Sequence, residues 1–213
     1  MPPLLLELEL SHCPVVLVGL GVVGKRRLGL LVEAGALVRV VEPGPVDRAY
    51  AATLASSVEV VEAAYEASQL GGARLVFAAA PPEINRRVVE DARRLGLWVN
   101  SASDPCQGTL RVPALWQDGP VQLAVSTSGA SPSLAALART RAALALGPGF
   151  GVLATVLAEL RPLVLARVAD PALRAGLFKR WAGAGWLTRI ESEGADGVRR
   201  AMVAEIEQVT GAG

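Results

Sequence analysis

Residues 15–42 read VVLVGLGVVGKRRLGLLVEAGALVRVVE. The run 15–18 is short, apolar and mostly β-branched, as suits a strand buried on both faces. Gly19, Gly21 and Gly24 follow in the spacing G-x-G-x-x-G. A helix continues over 27–32, with leucines at Leu28 and Leu31, and Gly35 ends it. Residues 37–41 read as a second strand, and Glu42 stands at its end, about 20 residues after the glycines. Each part has a task in a dinucleotide site. Gly19 allows the tight turn, Gly21 keeps side chains off a pyrophosphate, and Gly24 lets helix and strand approach. The helix start offers unpaired N–H groups to phosphates. Glu42 accepts from ribose hydroxyls and repels a 2′-phosphate, which favours NAD over NADP; Arg39 and Arg48 are the cations that could answer such a phosphate. A bare glycine triplet fits any strand–helix turn, but here strand, helix, second strand and acid are all in place. The expected cofactor contacts are Gly19, Leu20, Gly21, Val22, Val23, Gly24, Glu42 and Pro43.

The chain has 213 residues, enough for one good core with a smaller attachment, or for two modest domains. Hydrophobic residues make up 52% and charged residues 19%, a composition that buries a core rather than staying disordered. A net charge of +1 gives no field for nucleic acid. Cys13 and Cys106 are too few for a disulfide framework or a metal cluster, so a reducing cytoplasm is expected. The start, MPPLLLELEL, has no basic region and is not read as a signal peptide. No run approaches the roughly 18 apolar residues of a membrane span.

Residues 4–10 form an extended lead-in, and the lone histidine, His12, sits in a turn. After Glu42 the pattern predicts a helix over 46–56, a strand at 58–61, a loop with a helical turn at 63–70 and a strand at 75–79. A helix over 84–95 and a strand at 97–99 follow. Alternation at this spacing predicts a doubly wound parallel α/β sheet of Rossmann type. Two strands at 109–115 and 121–125, joined by a tight turn, form a hairpin. Ser131 and Pro132 cap a helix over 133–146. Beyond it the chain is helical: 152–168 interrupted at Pro162, a helix begun by Asp170 and Pro171, one over 196–209, and a frayed end at 211–213. The expected division is a nucleotide domain at 1–108, a small unit at 109–147 and a helical region at 148–213.

Three segments resemble the N-terminal modules of siroheme synthases. GLGVVGKRR with the downstream LLVEAGA is similar to their G-G-G-x-V-A-x-R-K…LL-x-x-G-A. Ala78, Ala79 and Ala80, then Asn85, resemble A-A-T-x-x-x-x-x-N. NSASDP, then VPALWQDGPVQLAVSTSGASPSLAALAR, resembles N-V-V-D-D-P…P-x-I-x-R-x-P-x-x-V-A-I-S-T-G-G-x-S-P-x-L-A-R-x-x-R. The likeness covers residues 2–145. Ser103 stands where the family has the first of its two aspartates, Ala80 where it has a threonine, and Ala136 where it has an arginine.

The resemblance implies a precorrin-2 dehydrogenase, which oxidises precorrin-2 to sirohydrochlorin with NAD⁺ in siroheme biosynthesis. It implies a homodimer built through 109–147, and in some members a sirohydrochlorin ferrochelatase that inserts Fe²⁺ or Co²⁺. It adds Ala79 and Ala80 to the cofactor contacts. Asp104, the only carboxylate in the loop 101–108, is the candidate proton acceptor. A polycarboxylated tetrapyrrole calls for cations and donors: Lys25, Arg26, Arg111, Arg139 and Arg141, with Ser126, Thr127, Ser128 and Ser131. No resident metal ligands are expected. Two other readings stand beside this one: another NAD-dependent oxidoreductase, and a non-enzymatic NAD-binding regulatory module.

Overall fold

A computed structural model describes residues 3–211; residues 212–213 of the expected frayed end lie outside the described residues, as does the side chain of Arg48. The chain divides into two compact units, Met1–Val112 and Pro113–Gly213.

In the first unit five strands form one parallel sheet in the order β3-β2-β1-β4-β5. They are β1 (Pro14–Val18), β2 (Leu37–Glu42), β3 (Val58–Glu62), β4 (Leu75–Ala78) and β5 (Trp98–Ser101). Helix α1 (Val22–Glu33) joins β1 to β2, and α3 (Pro82–Arg94) joins β4 to β5. Side chains of a strand alternate between faces, and β1 and β4 use both. Val15, Leu17, Leu75 and Phe77 join Leu28 and Leu31 of α1 in one cluster. Val16, Val18, Val76 and Ala78 join Val88, Val89 and Ala92 of α3 in the other. Each such buried valine, leucine or phenylalanine contributes about 1.5–3 kcal/mol, which is why the apolar run at 15–18 becomes the central strand.

The two edges of the sheet differ. At β3, Glu59 pairs with Arg39 of β2 at 2.9 Å. At β5, Thr109 and Leu110 lie alongside without becoming a strand. Thr109 and Leu110 donate their N–H groups to the Val99 carbonyl, and Val99 N–H donates to Thr109 Oγ1. Asn100 Nδ2 reaches the Leu110 carbonyl at 3.2 Å.

In the second unit β6 (Ala114–Asp118) and β7 (Val121–Val125) form an antiparallel hairpin, on which α4 (Pro132–Leu146) packs. Helices α5 (Phe150–Arg167), α6 (Pro171–Trp181) and α7 (Ala184–Thr210) share one core, in which Val164, Trp181, Val198, Met202 and Ile206 are fully buried. Asp118 at the hairpin tip accepts from Gly151 N–H at 3.1 Å, which caps the start of α5.

Four expectations are corrected. The helix expected over 46–56 is only α2, Arg48–Ala51, because residues 52–57 leave it to reach β3, and the Ser57 carbonyl accepts from Val38 N–H. The strand expected at 109–115 begins at Ala114, since Thr109 and Leu110 are held by β5 instead. Pro162 does not interrupt its helix, because α5 runs through it with Val156, Leu160 and Val164 buried on both sides. The helix expected over 196–209 begins earlier, as α7 starts at Ala184 and bends at Gly194 (φ 68°, ψ 179°).

Candidate functional site

The C-terminal ends of the strands open onto a cleft of about 410 Å³, lined by Gly19, Leu20, Gly21, Glu42, Tyr65 and Ala80 among others. The three glycines are there for different reasons. Gly19 has φ +95°, and a Cβ on it would lie 2.6 Å from the Ala79 backbone. A Cβ on Gly24 would lie 2.1 Å from the Gly19 carbonyl oxygen. Gly21 has an ordinary φ of −67°, and a Cβ there would meet nothing within 4 Å. The fold itself requires Gly19 and Gly24. Among the described residues nothing requires Gly21, whose missing side chain leaves the cleft it lines open.

Helix α1 begins at that point. Lys25 N–H makes the first bond of the helix, to the Gly21 carbonyl, so the N–H groups of Val22, Val23 and Gly24 lack intrahelical acceptors. Among the described residues no side chain caps them, and no acid lies in the first turn. Glu42 is anchored: Leu20 N–H donates to its Oε2 at 2.6 Å, which leaves Oε1 as an acceptor. An open backbone, bare N–H groups and a fixed carboxylate suit a pyrophosphate and an adjoining ribose diol, so the residues fit a dinucleotide. Arg39 is held by Glu59 and by the carbonyls of Gln69 and Gly71.

The buried polar residues among the described ones, Asn85, Asn100 and Ser101, gather at the ends of β4 and β5. Asn85 accepts from Ala80 N–H at 2.9 Å and donates to Ser103 Oγ at 3.0 Å, tying the turn after β4 to the loop after β5. Ser101 Oγ accepts from Asp104 N–H at 3.2 Å. Both Asp104 oxygens are engaged in the loop, one by Cys106 N–H at 2.9 Å and one by Gln107 Nε2 at 3.0 Å. Asn85 and Tyr65 were not singled out as site residues. Tyr65 lines the cleft and donates to Asp91 at 2.9 Å. Burial, and then that hydrogen bond, push its phenol well above the ordinary range.

The expected substrate residues fall in several places. Arg26 and Arg111 are exposed, as is Arg141 of α4. Lys25 is exposed too, and stacks over the Tyr50 ring at 4.2 Å in a second cavity that Glu42 also lines. In α1, burial and then Arg26 lower the pKa of Arg27 from its ordinary value, and its Nε is buried without a partner among the described residues. In the second unit, Ser126, Thr127, Ser128 and Ser131 share the loop before α4. Ser131 Oγ caps the helix through Leu134 N–H, Thr127 Oγ1 donates to the Ser131 carbonyl and accepts from Ser131 N–H, and Ser126 Oγ accepts from Ser128 N–H. Arg139 of α4 likewise has a buried, unpartnered Nε among the described residues.

Comparison with known proteins extends this picture. Residues 6–114 match the family described as "Putative NAD(P)-binding", and residues 118–141 match "Sirohaem biosynthesis protein central". A siroheme synthase of Methylococcus capsulatus is 36% identical over 176 residues, which cover 81% of this chain and 37% of that protein. A siroheme synthase of Chromobacterium violaceum is 33% identical over 211 residues, 97% of this chain and 43% of that protein. The chain thus spans less than half the length of these curated relatives. The solved structure of SirC, precorrin-2 dehydrogenase, has the same fold, with a TM-score of 0.81 at 21% identity, covering 97% of this chain and all of that one.

Proposed function

Because the chain belongs to this NAD(P)-binding family, we propose that it is an NAD-dependent dehydrogenase that oxidises precorrin-2 to sirohydrochlorin in siroheme biosynthesis. The observation that carries the cofactor half is Gly21, open onto the cleft beside the anchored Glu42. The substrate half rests on the relatives and on the sirohaem family match.

NAD⁺, when bound, supplies the hydride acceptor. The chain's own groups bind and orient. Glu42 takes the ribose hydroxyls, the N–H groups of Val22, Val23 and Gly24 meet the pyrophosphate, and Ala79 and Ala80 border the nicotinamide half. Asn85 holds that border against the loop 101–108. Asp104 accepts the substrate proton, exchanging a loop hydrogen bond for it. The cations and donors offered to the substrate's carboxylates are, in the first unit, Lys25, Arg26 and Arg111 and, in the second unit, Arg139 and the Ser126–Ser131 hydroxyl loop. The bare Nε of Arg139 supports this, since a buried donor without an acceptor is costly and a carboxylate satisfies it.

The protein works as a homodimer through residues 109–147. Leu134 and Leu137 of α4 are 54% and 50% exposed, and large apolar side chains in water mark such surfaces. Cys13 and Cys106 are unpaired, which fits a cytoplasmic location. Among the described residues no single helix is long and apolar enough to cross a membrane.

The test is anaerobic incubation of the full chain with precorrin-2 and NAD⁺, with NADP⁺, or with neither, followed by absorbance. NAD⁺-dependent formation of sirohydrochlorin supports the proposal. Adding Fe²⁺ or Co²⁺ to the product then reads metal insertion as a separate step. Protein that binds NAD⁺ but converts nothing overturns the dehydrogenase and favours a regulatory NAD-binding module. Asp104→Asn keeps an acceptor for Cys106 N–H; unchanged turnover in that variant removes Asp104 as the base.

A further inference from the structure

Lys25, Arg26 and Arg27 stand in a row near the start of α1, and no acid shares its first two turns. That is the helix end whose own partial charge is positive, where acids rather than cations stabilise. Folding does not ask for this arrangement, and the three cations meet different surroundings. Arg26 is exposed, and Lys25 lies over the Tyr50 ring. Arg27 is half-buried, its Nε is shut off from water without a hydrogen-bond partner, and its guanidinium makes no ion pair among the described residues. Burial, then the Arg26 charge, lower its pKa from the ordinary value, as for a cation whose counter-charge is missing. At about 100° per residue, the buried line of Gly24, Leu28 and Leu31 runs between Lys25 on one flank of α1 and Arg27 on the other. Tyr50 belongs to α2, on the connection from β2 to β3, so Lys25 marks the β2 flank. The strand on the other side of β1 is β4, so Arg27 takes the β4 flank. Helical side chains lean back toward the N-terminus, here toward Val23 and Gly24. Gly24 faces Ala79 just past β4, and a Cβ on it would lie 3.8 Å from the Ala79 Cβ.

We propose that Arg27 binds a carboxylate of the tetrapyrrole substrate on the β4 flank of α1, beside the nicotinamide half of the cleft. The inference deepens the dehydrogenase reading and rests on it. The Nε–H and one terminal N–H of a guanidinium lie parallel and meet both oxygens of one carboxylate. Such a pair satisfies the buried donor, which no acceptor among the described residues does. Arg26, in solvent, adds charge without direction. Arg27, held by burial, fixes where one edge of the macrocycle lies against the cofactor.

The test is spectroscopic titration of the full chain with sirohydrochlorin as the probe, beside calorimetry with NAD⁺ and thermal melts, using wild type, Arg27→Lys and Arg27→Met. Lysine keeps the charge without the fork. Methionine keeps an apolar stem and removes the buried donor, so Arg27→Met should melt at or above wild type. Arg27→Met should weaken sirohydrochlorin about ten-fold, the scale of one charge-assisted contact, with a matching rise in KM for precorrin-2 and an unchanged Kd for NAD⁺. Arg27→Lys should recover only part of that loss. Wild-type affinity for sirohydrochlorin in Arg27→Met overturns the inference. So does an equal loss of NAD⁺ and sirohydrochlorin binding, which would make Arg27 a structural residue. Wild type that binds NAD⁺ but no sirohydrochlorin overturns the substrate half of the dehydrogenase reading and this inference with it.

Discussion

Replacing Gly21 by Ala should separate binding from folding. The new Cβ meets no protein atom within 4 Å, and the backbone angles at position 21 are open to any residue. As the residue that caps α1, Ala is worse than Gly, so the stability cost is about 1 kcal/mol. The methyl group instead occupies the mouth of the cleft, where it keeps a phosphate from the N–H groups of α1. Losing one such charge-assisted bond costs about 1.5–3 kcal/mol, or about 10- to 100-fold in Kd. Gly19→Ala is the contrast. Its Cβ would sit 2.6 Å from the Ala79 backbone at φ +95°, so overlap and strain together cost about 2–4 kcal/mol of folding stability. Thermal melts with and without NAD⁺, and calorimetric Kd values, read both effects. Gly21→Ala should melt near wild type when free and lose the stabilisation by NAD⁺. Wild-type affinity in Gly21→Ala would refute the claim that a ligand, rather than the fold, requires this glycine.

Three further outcomes are expected. Asn85→Leu leaves the Ala80 N–H without its acceptor and frees Ser103, and urea unfolding should show a loss of about 1–3 kcal/mol. Tyr65 is protonated more tightly in the folded chain than in the unfolded one. Its contribution is therefore complete below about pH 10 and is lost as pH rises beyond that, at no more than about 1.4 kcal/mol per pH unit. Wild type and Tyr65→Phe should accordingly converge in stability above pH 10, and a constant difference up to pH 12 would contradict the assignment. Asp118→Ala uncaps α5 and should cost about 1 kcal/mol in chemical denaturation, with the helix content of the tail otherwise kept.

The nucleotide unit was legible because its signals are local. An apolar strand, three glycines at fixed spacing and a terminal acid stand within 28 residues, and each is read from its neighbours. Elsewhere the decisive partner lies far along the chain. Pro162 removes one helical hydrogen bond at a cost of about 3 kcal/mol, yet Val156, Leu160 and Val164 are buried against helices that come later, and that gain is larger. Asn85 looks like any polar residue on a helix until Ser103, 18 positions on, closes over it. Lys25 drew attention as a cation for the substrate; only folding brings Tyr50 and Asp47 beside it.

Thr109 and Leu110 lie along β5 and occupy its outward hydrogen-bonding groups at Val99. That short stretch is the guard of the sheet's second edge, as charge is of the first. A nucleotide unit cut after residue 108 would expose β5 to pairing with neighbouring molecules, while one cut after Val112 would carry its own cover. Colloidal behaviour during expression should therefore change sharply between these two cuts, with the shorter piece precipitating and the longer one staying dispersed.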